Sequence, residues 1–325
     1  MYLAPTEEQL QIVEATRDVL LSEAPFERWF VPDADALADD ARLIGLGAAM
    51  GWTGFAAPAD IGGSGASAID EMLVFRELGG RLAPLGLTAA TIAAHVSHGA
   101  GNAALAEALV SGETRAGLIA GQRGDVLLGA AGGVGLQVEG DRLRLLDAAG
   151  ATSAGIAFDW MTPSARLDNA AVIVEVEDAG LARRLRLLIG AQAQGVAETA
   201  LAQANAYAKE REQFGKPIGS FQAIRHRIAD MEMLARRAEA QLRFAAVSNH
   251  GGNGDAALQV LAALFLSLRA ARSNAEANIF IHGAMGVTTE NIGHLLLKRG
   301  RLWGLVAGSD HDLLDDIGAS EAALL

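Results

Sequence analysis

Residues 113–178 break the periodicity of everything around them. Here apolar residues recur at every second position: Val134, Leu136 and Val138, then Leu143 and Leu145, and later Val172, Val174 and Val176. Gly140 and Asp141 separate the first two runs, and a Gly-containing tight turn between alternating runs predicts a β-hairpin. Before and after this stretch apolar residues return at three- and four-residue intervals, the spacing of one helix face. The order helices, strands, helices predicts a mainly α fold with a β insert. The boundaries read as an N-terminal helical domain over 1–112, a small middle β-domain over 113–178 and a C-terminal helical bundle over 179–325.

Local signals refine the helical parts. Thr6 and Gln9 have the spacing of a capping box, followed by Leu10, Val13 and Leu20 on one face. Ser67 and Asp70 predict a second helix start, with Ile69, Met72 and Leu73 on its face and an end near Gly79 and Gly80. A Gly- and Pro-bearing loop spans 51–65. In the C-terminal part the long helical stretches break only at 214–220, 251–254 and 283–286, and short breaks between long amphipathic segments favour an antiparallel four-helix bundle.

Composition excludes several classes. The 325 residues include 39 acidic against 26 basic ones, a net charge of −13, and such a surface repels phosphate backbones and anionic lipid. Neither a nucleic acid nor a membrane is expected as a partner. The absence of cysteine removes disulfides, thiolate metal sites and cysteine nucleophiles together. The longest run without a charged residue, 82–106, carries Pro84, His95, Ser97, His98 and Asn102, polar groups that are costly in lipid. The most apolar segment, 256–268, has the length of a core helix. The first residues carry Glu7 and Glu8 and no basic, apolar leader, so a soluble, cytoplasmic protein without a signal peptide is expected.

Few motifs carry chemistry. The glycines of 129–135 (GAAGGVG) could cradle phosphate, but they lead into a strand rather than a helix, which favours turn chemistry. His95 and His98 have metal-ligand spacing without a nearby carboxylate to complete a set, so no metal is expected. Asp310, Asp312, Asp315 and Asp316 read as a solvated helix face. The segment 206–231, AYAKEREQFGKPIGSFQAIRHRIADM, leaves two readings open. In one, Gly215 and Pro217 shape an ordinary corner while Phe214 and Phe221 plug the core. In the other, Arg211 meets a phosphate group and an exposed Phe214 stacks on an adenine.

That segment resembles the R-x-Q-F-G-x-P-I…F-Q…H…A-D-M signature of the acyl-CoA dehydrogenase family. Three further regions are similar in the same order: Gly51-Trp52, Pro58, Gly62-Gly63, Gly65 and Glu77-Leu78-Gly79; residues 159–167, like the family's D…R-L element; and His282-Gly283-Ala284-Met285-Gly286 with Thr289-Glu290. The resemblance implies FAD held at a subunit interface in an oligomer, an acyl-CoA substrate and an electron-transfer protein as acceptor. It places Arg211 at the pyrophosphate arginine, Phe214 beside it and Gln222 on the following helix, with Phe280, His282, Gly283 and Ala284 in the family's cofactor-facing turn. The implied reaction is α,β-dehydrogenation, in which a carboxylate removes the α-proton while the β-hydrogen leaves as hydride.

The resemblance also implies what is missing. The family's two base positions fall on Ala307 and Leu185, and neither is an acid. Phe280 stands where the family has glutamine. The stretch 117–129 (GLIAGQRGDVLLG) replaces the flavin-contacting T-E-P-G-x-G-S-D, and the β-domain is shorter than the family norm. Some bacterial members, including those acting on steroid side-chain thioesters, are built from paired short chains. Three readings follow: a base-lacking subunit paired with a related catalytic chain in a heterotetramer; a self-sufficient dehydrogenase, for instance a homodimer, with the acid relocated to Glu290 or Asp310; and a non-catalytic assembly subunit.

Overall fold

The structure is a computed structural model and describes residues 4–30, 35–120, 126–129, 132–156, 159–251 and 254–320. It opens with five helices: α1 (Glu7–Glu23), α2 (Ala36–Ala49), α3 (Ala68–Gly80), α4 (Leu85–Gly99) and α5 (Ala103–Val110). Both expected capping boxes form. Thr6 Oγ1 accepts from the Gln9 amide while Gln9 Oε1 accepts from the Thr6 amide, and Ser67 and Asp70 repeat the exchange. The charge-free run centres on α4, which is buried on nearly all sides and packs against α2, α5, α6 and the sheet. A helix enclosed in this way needs no solvated face, which accounts for its composition.

Seven strands form one sheet: β1 (Ala116–Ala120), β2 (Val126–Leu128), β3 (Val134–Glu139), β4 (Arg142–Asp147), β5 (Thr152–Ile156), β6 (Pro163–Arg166) and β7 (Val172–Glu177), in the order β5-β6-β2-β1-β3-β4-β7. The expected hairpin is β3–β4, with Val134 opposite Asp147, Glu139 opposite Arg142, and Gly140 in the left-handed region. β7 pairs antiparallel with β4, while β1 runs parallel to β3. The glycine-rich stretch does lead into β3, although residues 130 and 131 lie outside the described residues. The sequence TEPG-replacing stretch 117–129 forms β1 and β2 at its ends, with 121–125 also outside them.

The rest is helical apart from a two-stranded hairpin. α6 (Ala179–Glu210) leads through β8 (Glu212–Gln213) and β9 (Lys216–Pro217) to α7 (Gln222–His250), α8 (Ala256–His282), a 3₁₀ turn (Gly283–Val287), α9 (Gly293–Ala307) and α10 (Asp310–Ala319). α6, α7, α8 and α9 form the bundle, with α8 packed against each of the other three. Among the described residues one helix, Ala256–Val287, is long and apolar enough to cross a membrane by length and composition, and half of its apolar window is buried inside the protein. The apolar segment 256–268 expected as a core helix is its first half.

Two features lock the regions together. α3 crosses α6 glycine to glycine: a Cβ on Gly195 would lie 2.0 Å from Arg76 O, and one on Gly79 would lie 2.1 Å from Gln192 O. Arg299 of α9 is 2% exposed and donates to Asp159 Oδ2 at 2.8 Å, to Ala83 O at 2.7 Å and to Thr162 Oγ1 at 3.3 Å. One guanidinium thereby joins the N-terminal helices, the loop before β6 and the bundle. The main hydrophobic cluster likewise runs without interruption from α1 to α10.

Candidate active-site cavity and the exposed end of the bundle

A cavity of about 580 Å³ opens between the β3–β4 turn, the start of α6 and the end of α9. Leu185 of α6 and Ala307 of α9, 122 positions apart in sequence, both line it. Its floor is apolar, from Ile119, Val138, Leu185 and Ile189. The carboxylates at its edge are Glu139, Asp312 and Asp316, none of which the sequence singled out for this role. Asp312 caps α10: its Oδ2 accepts from the Ser309 amide at 2.8 Å and the Ser309 hydroxyl at 2.7 Å, which holds its pKa below the usual carboxylate value. Glu139 accepts from Gln137 and Arg144. Asp316 is exposed and unpaired among the described residues. Arg186 donates to Gly140 O at 3.1 Å, bracing the mouth. The two candidate acids from sequence lie elsewhere: Asp310 is held by Arg272 and Glu290 is exposed on the turn before α9, and neither lines the cavity.

At its other end α6 runs into an exposed arm. No residue of 209–230 is buried. Phe214 and Gly215, with φ of +54° and +77°, are the two central residues of the β8–β9 turn, the backbone of a type I′ hairpin. Phe214 is 91% exposed, so it does not plug the core, and its ring meets Phe221 edge-on at 6.0 Å. A side chain held in the left-handed region costs on the order of 1 kcal/mol. Arg211 ends α6, and its guanidinium has no carboxylate partner among the described residues; the same is true of Lys209, Lys216, Arg225 and Arg227. Five cations against three acids make 209–230 basic within an acidic chain.

The turn after α8 packs beside this arm. His282 stacks on Tyr207 with centroids 4.1 Å apart, and its Nδ1–H donates to Asn278 O at 2.9 Å. Phe280 is 61% exposed and carries the Arg227 guanidinium 4.0 Å above its ring. Gly283, at φ +61°, and Ala284 are exposed, and Gln222 begins α7 with its side chain near His226. His95 and His98 do not converge. His98 pairs with Asp60 at 3.0 Å, whereas His95 is half-buried and its pKa falls to about 3 because desolvation, with the Arg184 charge, opposes its charged form.

The acyl-CoA dehydrogenase N-terminal domain model matches residues 6–114 and the C-terminal domain model matches residues 180–321. The acyl-CoA dehydrogenase IpdE2 of Mycolicibacterium smegmatis is 30% identical over 242 residues, which cover 74% of this chain and 75% of that protein. The chain belongs to the acyl-CoA dehydrogenase family. The acyl-CoA dehydrogenase FadE34 of Mycobacterium tuberculosis is 35% identical over 297 residues, 84% of this chain but 41% of FadE34, so the chain spans about two fifths of that relative's length. The fold is similar to that of the ChsE4-ChsE5 complex from Mycobacterium tuberculosis, with a TM-score of 0.78 at 23% identity over 99% of this chain and 100% of that one.

Acyl-CoA dehydrogenases are flavin-dependent oxidoreductases. An Arg211 without a carboxylate partner among the described residues is a free two-pronged donor, and the outward Phe214 ring is a stacking face, the chemistry that a pyrophosphate and an adenine call for. Arg211 and Leu185 are 26 positions apart, or about 39 Å along α6 at 1.5 Å per residue. Arg211 and the cavity therefore stand at opposite ends of α6.

Proposed function

We propose that this chain is a subunit of an FAD-dependent acyl-CoA dehydrogenase, lacks the family's catalytic base and works beside a related chain that supplies it. The observation that carries this reading is the cavity where Leu185 and Ala307, the two family base positions, face the same space as apolar side chains. Abstraction of an α-proton needs an acid within hydrogen-bonding reach of it, and neither position offers one. The relatives FadE34 and IpdE2 are named acyl-CoA dehydrogenases, which supports α,β-dehydrogenation of an acyl-CoA thioester. The paired name of the ChsE4-ChsE5 complex supports a two-chain assembly. FAD, when bound, would accept the hydride from the β-carbon, and an electron-transfer protein would then reoxidise it.

This chain's part lies in its exposed end. Arg211 offers a two-pronged donor to the pyrophosphate of the partner's FAD, Phe214 offers a stacking face, and Gln222 with the His282–Ala284 turn closes around them. A cytoplasmic heterotetramer is the simplest assembly, with this chain divided into domains over 1–112, 113–178 and 179–325. The test is flavin absorbance and dye-coupled acyl-CoA oxidation, measured on the chain alone and after co-expression with a related chain. The chain alone is expected to be colourless and inactive, and the complex yellow and active, with Arg211→Ala losing most of its FAD. A yellow, active single chain would sink the reading. In that case Asp316, the exposed acid at the cavity edge, becomes the base to test by Asp316→Asn.

A further inference from the structure

A second cavity, of about 430 Å³, lies against the middle of α6 and shares no residue with the first. It is walled by α1, the 3₁₀ turn Phe26–Trp29, the end of α3 and α6 from Gly195 to Ala206. Three arginines and two glutamates face it, and two of the arginines are already neutralised. Arg17 forks onto Glu77 at 3.0 and 3.1 Å. Arg76 donates to Glu77 at 3.1 Å and approaches Glu239 at 3.4 Å and Glu198 at 3.7 Å.

Arg81 is different. Among the described residues no carboxylate lies within ion-pair distance of it and no hydrogen bond uses its guanidinium; Cζ rests 4.5 Å from the Phe26 ring centroid. A π face stabilises the cation but accepts none of its N–H groups, so the edge of the fork remains unspent. Desolvation lowers its pKa, with the more distant charges of Glu27 and Glu77 opposing. A second donor is nearby. Gln203 Oε1 accepts from Asn278 Nδ2 at 3.2 Å, which leaves the Gln203 amide N–H groups unspent on the cavity wall. The remaining wall is mostly apolar: Leu20, Ala202 and Ala206, with Gly80 and Gly195, while the Thr199 hydroxyl is spent on Gly80 O at 3.0 Å.

We infer that this cavity binds a small monocarboxylate with a hydrocarbon body, its two oxygens on the Arg81 fork and its tail along Leu20 and the α6 alanines. Arg81 selects the anion, because it is the one arginine of this wall without a carboxylate at ion-pair distance among the described residues. A dianionic phosphate would meet Glu77 and Glu198 with its second charge, whereas a planar carboxylate matches a guanidinium edge. The size fits, since small-molecule sites start at roughly 300 Å³. The inference does not rest on the dehydrogenase reading.

The test is calorimetric titration of the full chain with hexanoate. One saturable site per chain is expected, with hexanamide and inorganic phosphate each binding at least tenfold more weakly. Arg81→Ala is expected to weaken hexanoate at least tenfold, and Phe26→Leu, which keeps the arginine but removes the ring beneath it, at least threefold. Glu198→Gln removes a repelling charge and is expected to tighten it. Absence of saturable binding, phosphate binding as tight as hexanoate, or affinity indifferent to Arg81→Ala would each overturn the assignment. No flavin or turnover enters the readout, so its failure and that of the dehydrogenase reading are separately visible.

Discussion

Arg299 donates to three groups in two other parts of the chain, and its partner Asp159 is 140 positions away. The sequence presents Asp159 at the start of a family-like element, but pairing over such a distance leaves no local pattern to read. Both side chains are buried, so removing one strands the other's charge. Arg299→Leu is expected to cost roughly 3–5 kcal/mol in chemical denaturation, with the Arg299→Leu/Asp159→Leu double variant recovering part of it. Asp40 of α2 is 4% exposed and lies in the field of the same arginine. Desolvation raises its pKa to about 7, with Arg299 and Arg115 opposing. The folded protein then holds a proton that the unfolded chain releases above about pH 4. The contribution of Asp40 to stability is therefore fully present below pH 4 and is lost as pH rises to about 7, by at most about 1.4 kcal/mol per pH unit. The stability difference between wild type and Asp40→Asn, followed from pH 4 to 8, is expected to move by that sign; a difference flat with pH would show the carboxyl ionised throughout.

Among the elements, those with a local signature were legible. The capping boxes at Thr6 and Ser67 and the turn at Gly140 all carry their hydrogen-bonding or conformational reason within four residues. β1 and β2 were not legible, because β1 is buried at all five positions and so shows no alternation, and β2 has three residues. The segment 206–231 was legible as a corner, but its sequence could not say whether Phe214 faced inward; the two positive φ angles turn it out. The close crossing of α3 and α6 was also invisible, since Gly79 reads as a helix end and Gly195 as a weak point in a helix. Its consequence can be measured. Gly195→Ala puts a methyl group into Arg76 O and Gly80 N, backbone atoms that cannot swing aside. The helices must part, and a loss of roughly 2–3 kcal/mol is expected in urea denaturation; a neutral result would mean that the crossing is loose.

For the whole molecule, the net charge of −13 conceals a divided surface. The basic arm 209–230 lies at the exposed end of the bundle, and none of its residues is buried by the described residues. In the proposed assembly the partner and its cofactor cover it. Limited trypsin digestion of the chain alone is expected to cut first at Arg211, at the start of the exposed hairpin, and co-purification with the related chain is expected to slow that cut at least tenfold. Equal rates in both samples would place the partner elsewhere. The sequence presents Leu185 and Ala307 where the resemblance expects an acid; that the two line one cavity needed the fold.

The length of α6 has an evolutionary side. With about 39 Å between its Leu185 and Arg211, a substitution at one end cannot be sensed at the other through any shared ligand. In the proposed pairing the first turns of α6 face a cavity without a base, while Tyr207 to Phe214 serve another chain's cofactor. One continuous helix would then age at two speeds, drifting at its beginning and held at its end by a protein it does not encode.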